Sequence, residues 1–177
     1  GYIMAAADIF TIDVTGRGGH GAKPQVAVDS VLVASQIVVS AQSIVSRNVN
    51  PLQGAVVSFG AILAGDENGS SVLPQTAKLI GTCRSFEPDV QDRVQQRLGE
   101  IAEGVASAYG ARAQCHYTRL YPALLNHEQQ ALAVKEIVRN WLGEEGLKPA
   151  PQQMTAEDFA FMTQVCPGCL FRLGIRD

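Results

Sequence analysis

Apolar and polar residues alternate, or recur at helical spacing, along most of the chain. From Asp8 to Thr15 they alternate, which is the period of a half-buried strand. The apolar face of this strand carries Phe10, Ile12 and Val14. From Val26 to Arg47 apolar residues recur every three or four positions over a length that exceeds an ordinary strand. This segment therefore predicts a long helix, with Pro24 at its entrance.

The following segments continue this order of elements. Ala55 to Leu63 and Ala77 to Phe86 have the pattern of two strands, Asp89 to Gly110 carries a helical stripe, and Ala111 to Tyr121 alternates again. Strand, helix, strand, strand, helix, strand is the order of a ferredoxin-like domain. Its four-stranded antiparallel sheet needs a covering on one face only, which leaves the other face and the helix flank for a partner. The pattern therefore favours self-association.

Pro122 marks a boundary in the pattern. The residues after it predict two helices and a final strand, which are too few to close a core of their own. We therefore expect a ferredoxin-like satellite domain over residues 1–121 and, over 122–177, part of an incomplete α/β domain. Both ends of the sequence fall within structured patterns, so we expect a piece of a longer polypeptide.

Cap signals place the elements of the second domain. Asn126 with Gln129 three residues later is a capping box, and Thr155 with Asp158 is a weaker one. After a Pro-Gly turn, Cys169 to Leu173 has the apolar character of a short strand.

Composition narrows the class of protein. Of the residues, 46% are hydrophobic, which is ample for a packed core. The net charge is −3, and no run of Lys or Arg offers a footprint for nucleic acid or an acidic membrane. No uninterrupted apolar run approaches membrane-spanning length. We expect neither nucleic acid nor a membrane as partner.

Four cysteines are too few and too irregular for a disulfide-rich secreted scaffold, and they suit a reducing, cytoplasmic setting. Cys166 and Cys169 have CxxC spacing, but a zinc site needs two more ligands and no second such pair is present. A structural or incidental role is favoured, and a thiol redox role is the alternative.

The loop from Gly16 to Pro24 is the candidate site. Four glycines surround His20 in it, between a predicted strand and a predicted helix. Glycine allows positive φ and close approach of the backbone, so the loop can direct amide N–H groups and the imidazole to one point. The alternative is a tight turn with a solvated histidine. The GxGxxG fingerprint and the Lys-Ser/Thr ending of phosphate loops are absent.

Three segments together resemble the M20 family of metal-dependent amidohydrolases and peptidases. They are Gly18-Gly19-His20-Gly21-Ala22-Lys23-Pro24, then Ser71-Val72-Leu73-Pro74 with Gly81-Thr82-Cys83-Arg84-Ser85-Phe86, and Met154-Thr155-Ala156-Glu157-Asp158-Phe159 with Pro167-Gly168. The similarity is greatest to the aminoacylase-like, hippurate-hydrolase-like and auxin-conjugate-hydrolase-like branch.

This resemblance implies a catalytic domain with two divalent metal ions, such as zinc, manganese, cobalt or nickel, interrupted by a ferredoxin-like satellite that forms a homodimer. It implies hydrolysis of a small N-acyl amino acid or similar amide by metal-activated water, with a Glu outside this chain as general base. His20 matches the satellite histidine that reaches the partner subunit's active site. Arg84 matches the arginine that holds a substrate carboxylate, and Gly19 and Ser71 match substrate contacts.

Some residues depart from the family pattern or have ordinary alternatives. Ser71 stands where the family usually has Asn, and Arg84 could instead pair with a neighbouring acid. Glu157 and Asp158 match acids near the metal site, but acids also suit the first turn of a helix.

The family's metal ligands have no counterpart in this sequence. His116 and His127 lack a second ligand at metal spacing, so we expect no metal to bind this chain alone. We accordingly expect a fragment of an amidohydrolase that dimerises but is inactive by itself. The alternative is a stand-alone ferredoxin-like module for dimerisation or small-ligand binding.

Overall fold

The structure is a computed structural model and describes residues 1–174. Its strands are β1 (Tyr2–Met4), β2 (Ala6–Thr15), β3 (Gly19–His20), β4 (Ala55–Ala64), β5 (Val72–Leu73), β6 (Thr76–Ser85), β7 (Arg112–Tyr121) and β8 (Leu124–Leu125). Its α-helices are α1 (Ser30–Ala41), α2 (Pro88–Ala108), α3 (Glu128–Leu142) and α4 (Phe159–Val165). A 3-10 turn, Pro24–Val26, precedes α1, and a π-helical turn, Ile44–Asn48, follows it.

The chain forms two compact units. Asp8–Arg119 forms the larger unit, and Gly1–Ala7 together with the chain from Leu120 onwards forms the smaller one. The sequence predicted that residues 1–121 form one domain, whereas the structure places Gly1–Ala7 in the smaller unit. The reason is that β1 pairs with β8, and the sequence pattern gives no sign of this pairing. Positions 175–177 of the predicted second domain lie outside the described residues.

The larger unit contains a four-stranded sheet in the order β4-β6-β2-β7. β4 and β6 are antiparallel, with Ala55 opposite Ser85 and one register shift between Phe59 and Ala61. Helices α1 and α2 pack against each other, and both contact β6. This confirms the α+β class and the ferredoxin-like βαββαβ arrangement.

The core lies between one face of this sheet and the two helices. Phe10, Ile12 and Val14 of β2 are at most 1% exposed, whereas Ile9 is 45% exposed, so the predicted alternation is confirmed. Helix α2 buries Val90, Val94, Leu98, Ile101, Ala102 and Ala106. Each large apolar side chain buried in this way contributes about 1.5–3 kcal/mol. These two stripes therefore supply much of the stability of the larger unit.

Helix α1 begins later than predicted. The pattern predicts a helix over Val26–Arg47, but α1 begins at Ser30, because Asp29 caps it. The Asp29 carboxylate accepts hydrogen bonds from the backbone N–H groups two and three residues later, at 2.9 and 3.1 Å. Pro24 opens the preceding 3-10 turn instead of the helix. The apolar periodicity continues across the cap, so it cannot locate the boundary.

By length and composition, the helical stretch Ser30–Asn48 could cross a membrane. Its inner side is occupied by core residues, namely Val33, Ala34, Ile37, Ala41 and Ile44. Packing on the sheet of the larger unit accounts for these apolar positions.

The smaller unit is built on the antiparallel pair of β1 and β8. Ile3, Met4, Leu124 and Ala160 form its buried core, and α4 packs against β8. Helix α3 has no buried residue, and its Trp141 is 77% exposed. Within the described part of the chain, the apolar side of α3 is therefore only partly covered, with Ala131, Val134 and Val138 half-buried.

The predicted cap of α3 and the predicted final strand are wrong. Asn126 does not cap α3: its amide Nδ2 donates to the Leu170 carbonyl, and its Oδ1 accepts from the Leu170 N–H, both at 2.8 Å. The residue at the cap position is His127, which makes no side-chain cap bond. Cys169 to Leu173 is not a strand, because the Asn126 side chain, rather than a neighbouring strand, satisfies the backbone of Leu170. A side chain that binds a segment 44 residues away leaves no local signature in the sequence.

Candidate functional site

The glycine-rich loop lies beside the Ser71–Pro74 segment. β3 pairs antiparallel with β5, which places His20 opposite Val72. The Gly21 N–H donates to the Ser71 carbonyl at 2.7 Å. The structure thus brings together three predicted site residues, Gly19, His20 and Ser71, from segments more than fifty positions apart.

Close packing is the property of glycine that this loop uses. Every described glycine with positive φ lies outside it. A Cβ on Gly16 would lie 2.3 Å from the Val28 carbonyl oxygen, and a Cβ on Gly18 would lie 3.0 Å from that of Leu73. The loop therefore needs glycine because backbone crosses backbone, and not for a left-handed conformation.

The imidazole of His20 is exposed, and one of its nitrogens is already engaged. The Ala22 N–H donates to Nδ1 at 3.0 Å. Because an accepting nitrogen carries no proton, the neutral ring carries its proton on Nε2. Nε2 has no partner among residues 1–174, so His20 presents an unoccupied N–H donor at the surface of the larger unit.

Arg84 lies at the other end of β6 from this loop. Gln75, whose carbonyl accepts from the Gly16 N–H at 2.8 Å, directly precedes β6. Arg84 lies nine positions further on, which at the rise of a β-strand is about 30 Å. Within one subunit, Arg84 and the loop that carries His20 therefore lie at opposite ends of β6.

The Arg84 guanidinium is half-buried, and its own strand holds it. Nη1 donates to the Thr82 hydroxyl and, at 2.8 Å, to the Cys83 carbonyl. No carboxylate forms an ion pair with Arg84 in the described part of the chain. The alternative of an exposed arginine paired with an acid is therefore not what the structure shows. A partly desolvated guanidinium without a counter-ion is suited to receive an anion.

Glu157 and Asp158 belong to the smaller unit. Asp158 stands at the N-terminal cap of α4 but makes no side-chain cap bond, so the weaker capping box with Thr155 does not form. A Glu157 carboxylate oxygen lies 3.5 Å from the Phe159 N–H, at the outer limit for a hydrogen bond. Neither acid is bound firmly by the surrounding chain.

The other two histidines have partners that explain them. His116 Nε2 lies 3.6 Å from Asp13, which also pairs with Lys78 at 3.5 Å. Asp13 and Lys78 line a cavity of about 310 Å³ that none of the predicted site residues lines. His127 Nδ1 accepts from the Gly168 N–H at 3.2 Å.

A metal ion needs three or more protein ligands close together. Within residues 1–174, no three His, Cys, Asp or Glu side chains gather closely enough to hold one. The described residues therefore do not fit the two metal ions that the family implies.

A buried polar cluster in the larger unit is missing from the sequence-based site. The Asp8 carboxylate is 1% exposed, accepts from Gln91 Nε2 at 2.9 and 3.0 Å and accepts from the Tyr117 hydroxyl at 2.6 Å. Burial raises the pKa of Tyr117, and it raises the pKa of the nearby Cys83 thiol to about 12. The sequence does contain a signal for Asp8. It lies two positions before Phe10 on β2, so the alternation of the strand places it on the side that faces the core.

Comparison with known proteins gives the family. Residues 7–110 match the model of the peptidase dimerisation domain of the M20 family. The protein YhaA of Bacillus subtilis (strain 168) is 42% identical over 98% of this chain and 43% of its own length. N-acetyldiaminopimelate deacetylase of Bacillus pumilus is 35% identical over 99% of this chain and 46% of its own.

A solved structure agrees with these relatives. The YXEP protein of Bacillus subtilis is described as a dinuclear metal-binding peptidase from the M20 family. It superimposes with a TM-score of 0.74 at 28% identity, over 95% of this chain and 40% of its own. The chain spans less than half the length of the relatives it matches. It belongs to the M20 peptidase family, whose dimerisation domain it carries in residues 7–110.

Proposed function

We propose that this chain is part of a homodimeric, metal-dependent amidohydrolase that cleaves the amide bond of N-acyl amino acids, and that His20 acts in the partner subunit's active site. The observation that carries the proposal is the hydrogen bond from the Ala22 N–H to His20 Nδ1. It leaves Nε2–H as a donor on an exposed loop held by β5.

The role of His20 follows from this donor. When water attacks an amide carbonyl, negative charge develops on the carbonyl oxygen. An N–H group already held at that oxygen stabilises the transition state by about 3 kcal/mol. A neutral imidazole with its proton on Nε2 supplies such a donor and needs no proton transfer to do so.

The separation of His20 and Arg84 supports a site shared between subunits. About 30 Å of strand separates Arg84 from Gln75, which the loop of His20 contacts through Gly16, and a small N-acyl amino acid does not span that length. Both residues can contact one substrate molecule when His20 comes from one subunit and Arg84 from the other. Arg84 would then hold the substrate carboxylate, with Gly19 and Ser71 beside His20 as further contacts.

Exposed apolar positions on the larger unit support the dimer. Val31, Leu32 and Val39 of α1 are 40–67% exposed, although α1 packs its other side on the core. β4 lies at the edge of the four-stranded sheet, and its Leu63 is 54% exposed. A second copy that covers this helix flank and sheet edge would bury both features.

The chemistry attributed to the metals belongs to the proposal for the intact enzyme. Two divalent ions, such as zinc, manganese, cobalt or nickel, would activate the attacking water and be held outside the residues described here. Glu157 and Asp158 are proposed to lie near them. The substrate class is supported by relatives named as deacetylases of N-acetyldiaminopimelate and N-acetyl-L-cysteine. The chain alone should dimerise and not catalyse, in the cytoplasm of its cell.

The decisive experiment is subunit complementation in the full-length, metal-loaded enzyme. His20→Ala should lower kcat on an N-acetyl amino acid by about 10²–10³-fold, since it removes one oxyanion donor. His116→Ala is the matched control, because that histidine pairs with Asp13, and kcat should be unchanged. Mixing His20→Ala subunits with subunits inactivated in their catalytic segment should restore part of the activity, because each mixed dimer then has one intact site.

Three results would contradict parts of the proposal. Wild-type kcat in the His20→Ala enzyme would exclude a catalytic role for His20. A His20→Ala enzyme that loses activity and is not rescued by mixing would show that His20 acts within its own subunit. Hydrolysis by the purified 177-residue chain, abolished by His20→Ala, would contradict the expectation that the chain alone is inactive.

A further inference from the structure

Only one edge of the Arg84 guanidinium is used by the protein. Nη1 donates to the Thr82 hydroxyl and the Cys83 carbonyl. Nε and Nη2 have no partner among the described residues. Because the guanidinium is planar, fixing Nη1 also fixes the direction of the edge that carries Nε and Nη2. That edge has the fork geometry that binds a carboxylate through two parallel hydrogen bonds.

The Thr82 hydroxyl can only accept a hydrogen bond from Arg84. It has one proton, and it donates that proton to the Asp8 backbone carbonyl at 2.7 Å. Its lone pairs are thus left for Nη1, and the hydroxyl cannot turn away without losing the bond to Asp8. The two hydrogen bonds therefore run in one direction, from Arg84 Nη1 to the Thr82 hydroxyl and from that hydroxyl to the Asp8 carbonyl on β2.

Asp8, whose carbonyl accepts the hydrogen bond from Thr82, is held rigidly. Asp8 is 1% exposed, and its carboxylate accepts hydrogen bonds from Gln91 of α2 and Tyr117 of β7. Asp8 is therefore held by its own strand β2 and by contacts with α2 and β7. A side chain tied to such a point loses little further freedom when Arg84 takes up a ligand.

We propose that Thr82 is a positioning residue that directs the unoccupied edge of Arg84 towards the substrate carboxylate, and so gives the enzyme its preference for acyl amino acids with a free carboxylate. The inference rests on the proposed function, because it takes Arg84 as the carboxylate-binding group. Thr82 itself touches no substrate. Its effect belongs to substrate binding and not to the hydrolytic step.

The test compares two substrates in the full-length enzyme, an N-acetyl amino acid and its C-terminal carboxamide. Thr82→Val keeps the shape of the side chain and removes the hydroxyl, and it should raise KM for the free acid about tenfold while kcat stays the same. KM for the carboxamide should not change. Thr82→Ser restores the hydroxyl and should return KM to near the wild-type value.

Thr11→Val is the matched control. Thr11 on β2 and Thr82 on β6 are both half-buried. Each lies next to a buried residue of its strand, Phe10 and Cys83, and so points to the opposite face of the sheet from that residue. The same substitution at Thr11 should leave both KM values unchanged. The far-UV circular dichroism and thermal midpoint of each variant show whether it is folded.

Arg84→Ala separates this inference from the proposed function. If Arg84→Ala raises KM for the free acid and Thr82→Val does not, the positioning role of Thr82 is wrong. If Thr82→Val raises KM for acid and carboxamide alike, the effect is general disruption, and the positioning role is again wrong. If Arg84→Ala leaves KM for the free acid unchanged, the carboxylate-binding role of Arg84 in the proposed function fails.

Discussion

Gly81 lies in β6 directly against the ring of Phe10, and its replacement by alanine tests how closely the sheet is packed. A Cβ built at Gly81 would lie 2.2 Å from Phe10 Cζ and 2.4 Å from the Ser58 carbonyl oxygen. Real Cβ atoms do not approach other atoms so closely, so one neighbour has to move. Phe10 is 1% exposed and meets Phe59 edge to face at 5.1 Å, which leaves its ring no space.

The magnitude follows from these two contacts. Overpacking of a filled core costs about 1–3 kcal/mol, and the upper end applies because one obstacle is backbone and the other a buried ring. Alanine also lowers the conformational entropy of the unfolded chain, and this effect offsets roughly 0.4–1 kcal/mol of the overpacking cost. We therefore expect Gly81→Ala to lower the free energy of unfolding by about 2 kcal/mol. The midpoint of thermal unfolding should fall by roughly 4–8 °C.

Gly99 provides the matched substitution. It lies inside α2, and a Cβ there would meet nothing within 4 Å. Gly99→Ala should raise the free energy of unfolding by about 0.8–1 kcal/mol, because alanine is the better helix former. The two variants carry the same added methyl group and should shift stability in opposite directions.

Urea unfolding followed by far-UV circular dichroism measures both variants against the wild type. The slope of the free energy against urea should stay constant, so that a shift in midpoint reports stability. A Gly81→Ala protein as stable as the wild type would refute the packing of Phe10 on β6. A Gly99→Ala protein less stable than the wild type would refute the open surroundings of that glycine.

Two further predictions concern the buried polar cluster and the thiols. Tyr117→Phe should lower the free energy of unfolding by about 1.5–3 kcal/mol, because it removes a hydrogen bond to the buried Asp8 carboxylate. Tyr109→Phe on the surface should change the free energy of unfolding little. Urea unfolding measures both variants, and equal effects would contradict the buried polar cluster. In the folded chain at pH 8, Ellman's reagent should modify the exposed Cys166 and spare Cys83, whose thiolate fraction is about 10⁻⁴ when its pKa is about 12. The unfolded thiol has an ordinary pKa of 9.0, so the stability that Cys83 contributes is present below pH 9 and should be lost as the pH rises towards 12. Rapid modification of Cys83 in the folded state would show that its burial is wrong.

Most of the fold of the larger unit was accessible from the sequence, because its elements bury one face each. In β2, period-two alternation distinguishes Phe10 from Ile9, and the stripe of α2 is equally regular. The start of α1 was not accessible, since the apolar spacing runs through the cap at Asp29. The partner of Asn126 was not accessible either, because a contact with Leu170 depends on how the chain returns in space.

For the candidate site, the sequence predicted residues but not geometry. His20 and Ser71 are recognisable as motif residues, yet their pairing arises from the ladder between β3 and β5. The tautomer of His20 depends on the backbone N–H of Ala22, which any residue except proline supplies, so the side chain at that position gives no signal. The role proposed for Thr82 depends on where its single proton goes, and only the position of the Asp8 carbonyl settles that.

The pairing of β3 with β5 also has a kinetic consequence. Gly19 and Leu73 are more than fifty positions apart, and their ladder is only two residues long. The turns of α1 and α2 close within a few residues and form in about a microsecond, whereas a contact of long sequence separation has to await the closure of the chain between its ends. During refolding, His20 should therefore reach its final environment after the helices have formed, so that the site is one of the last parts of the molecule to take shape.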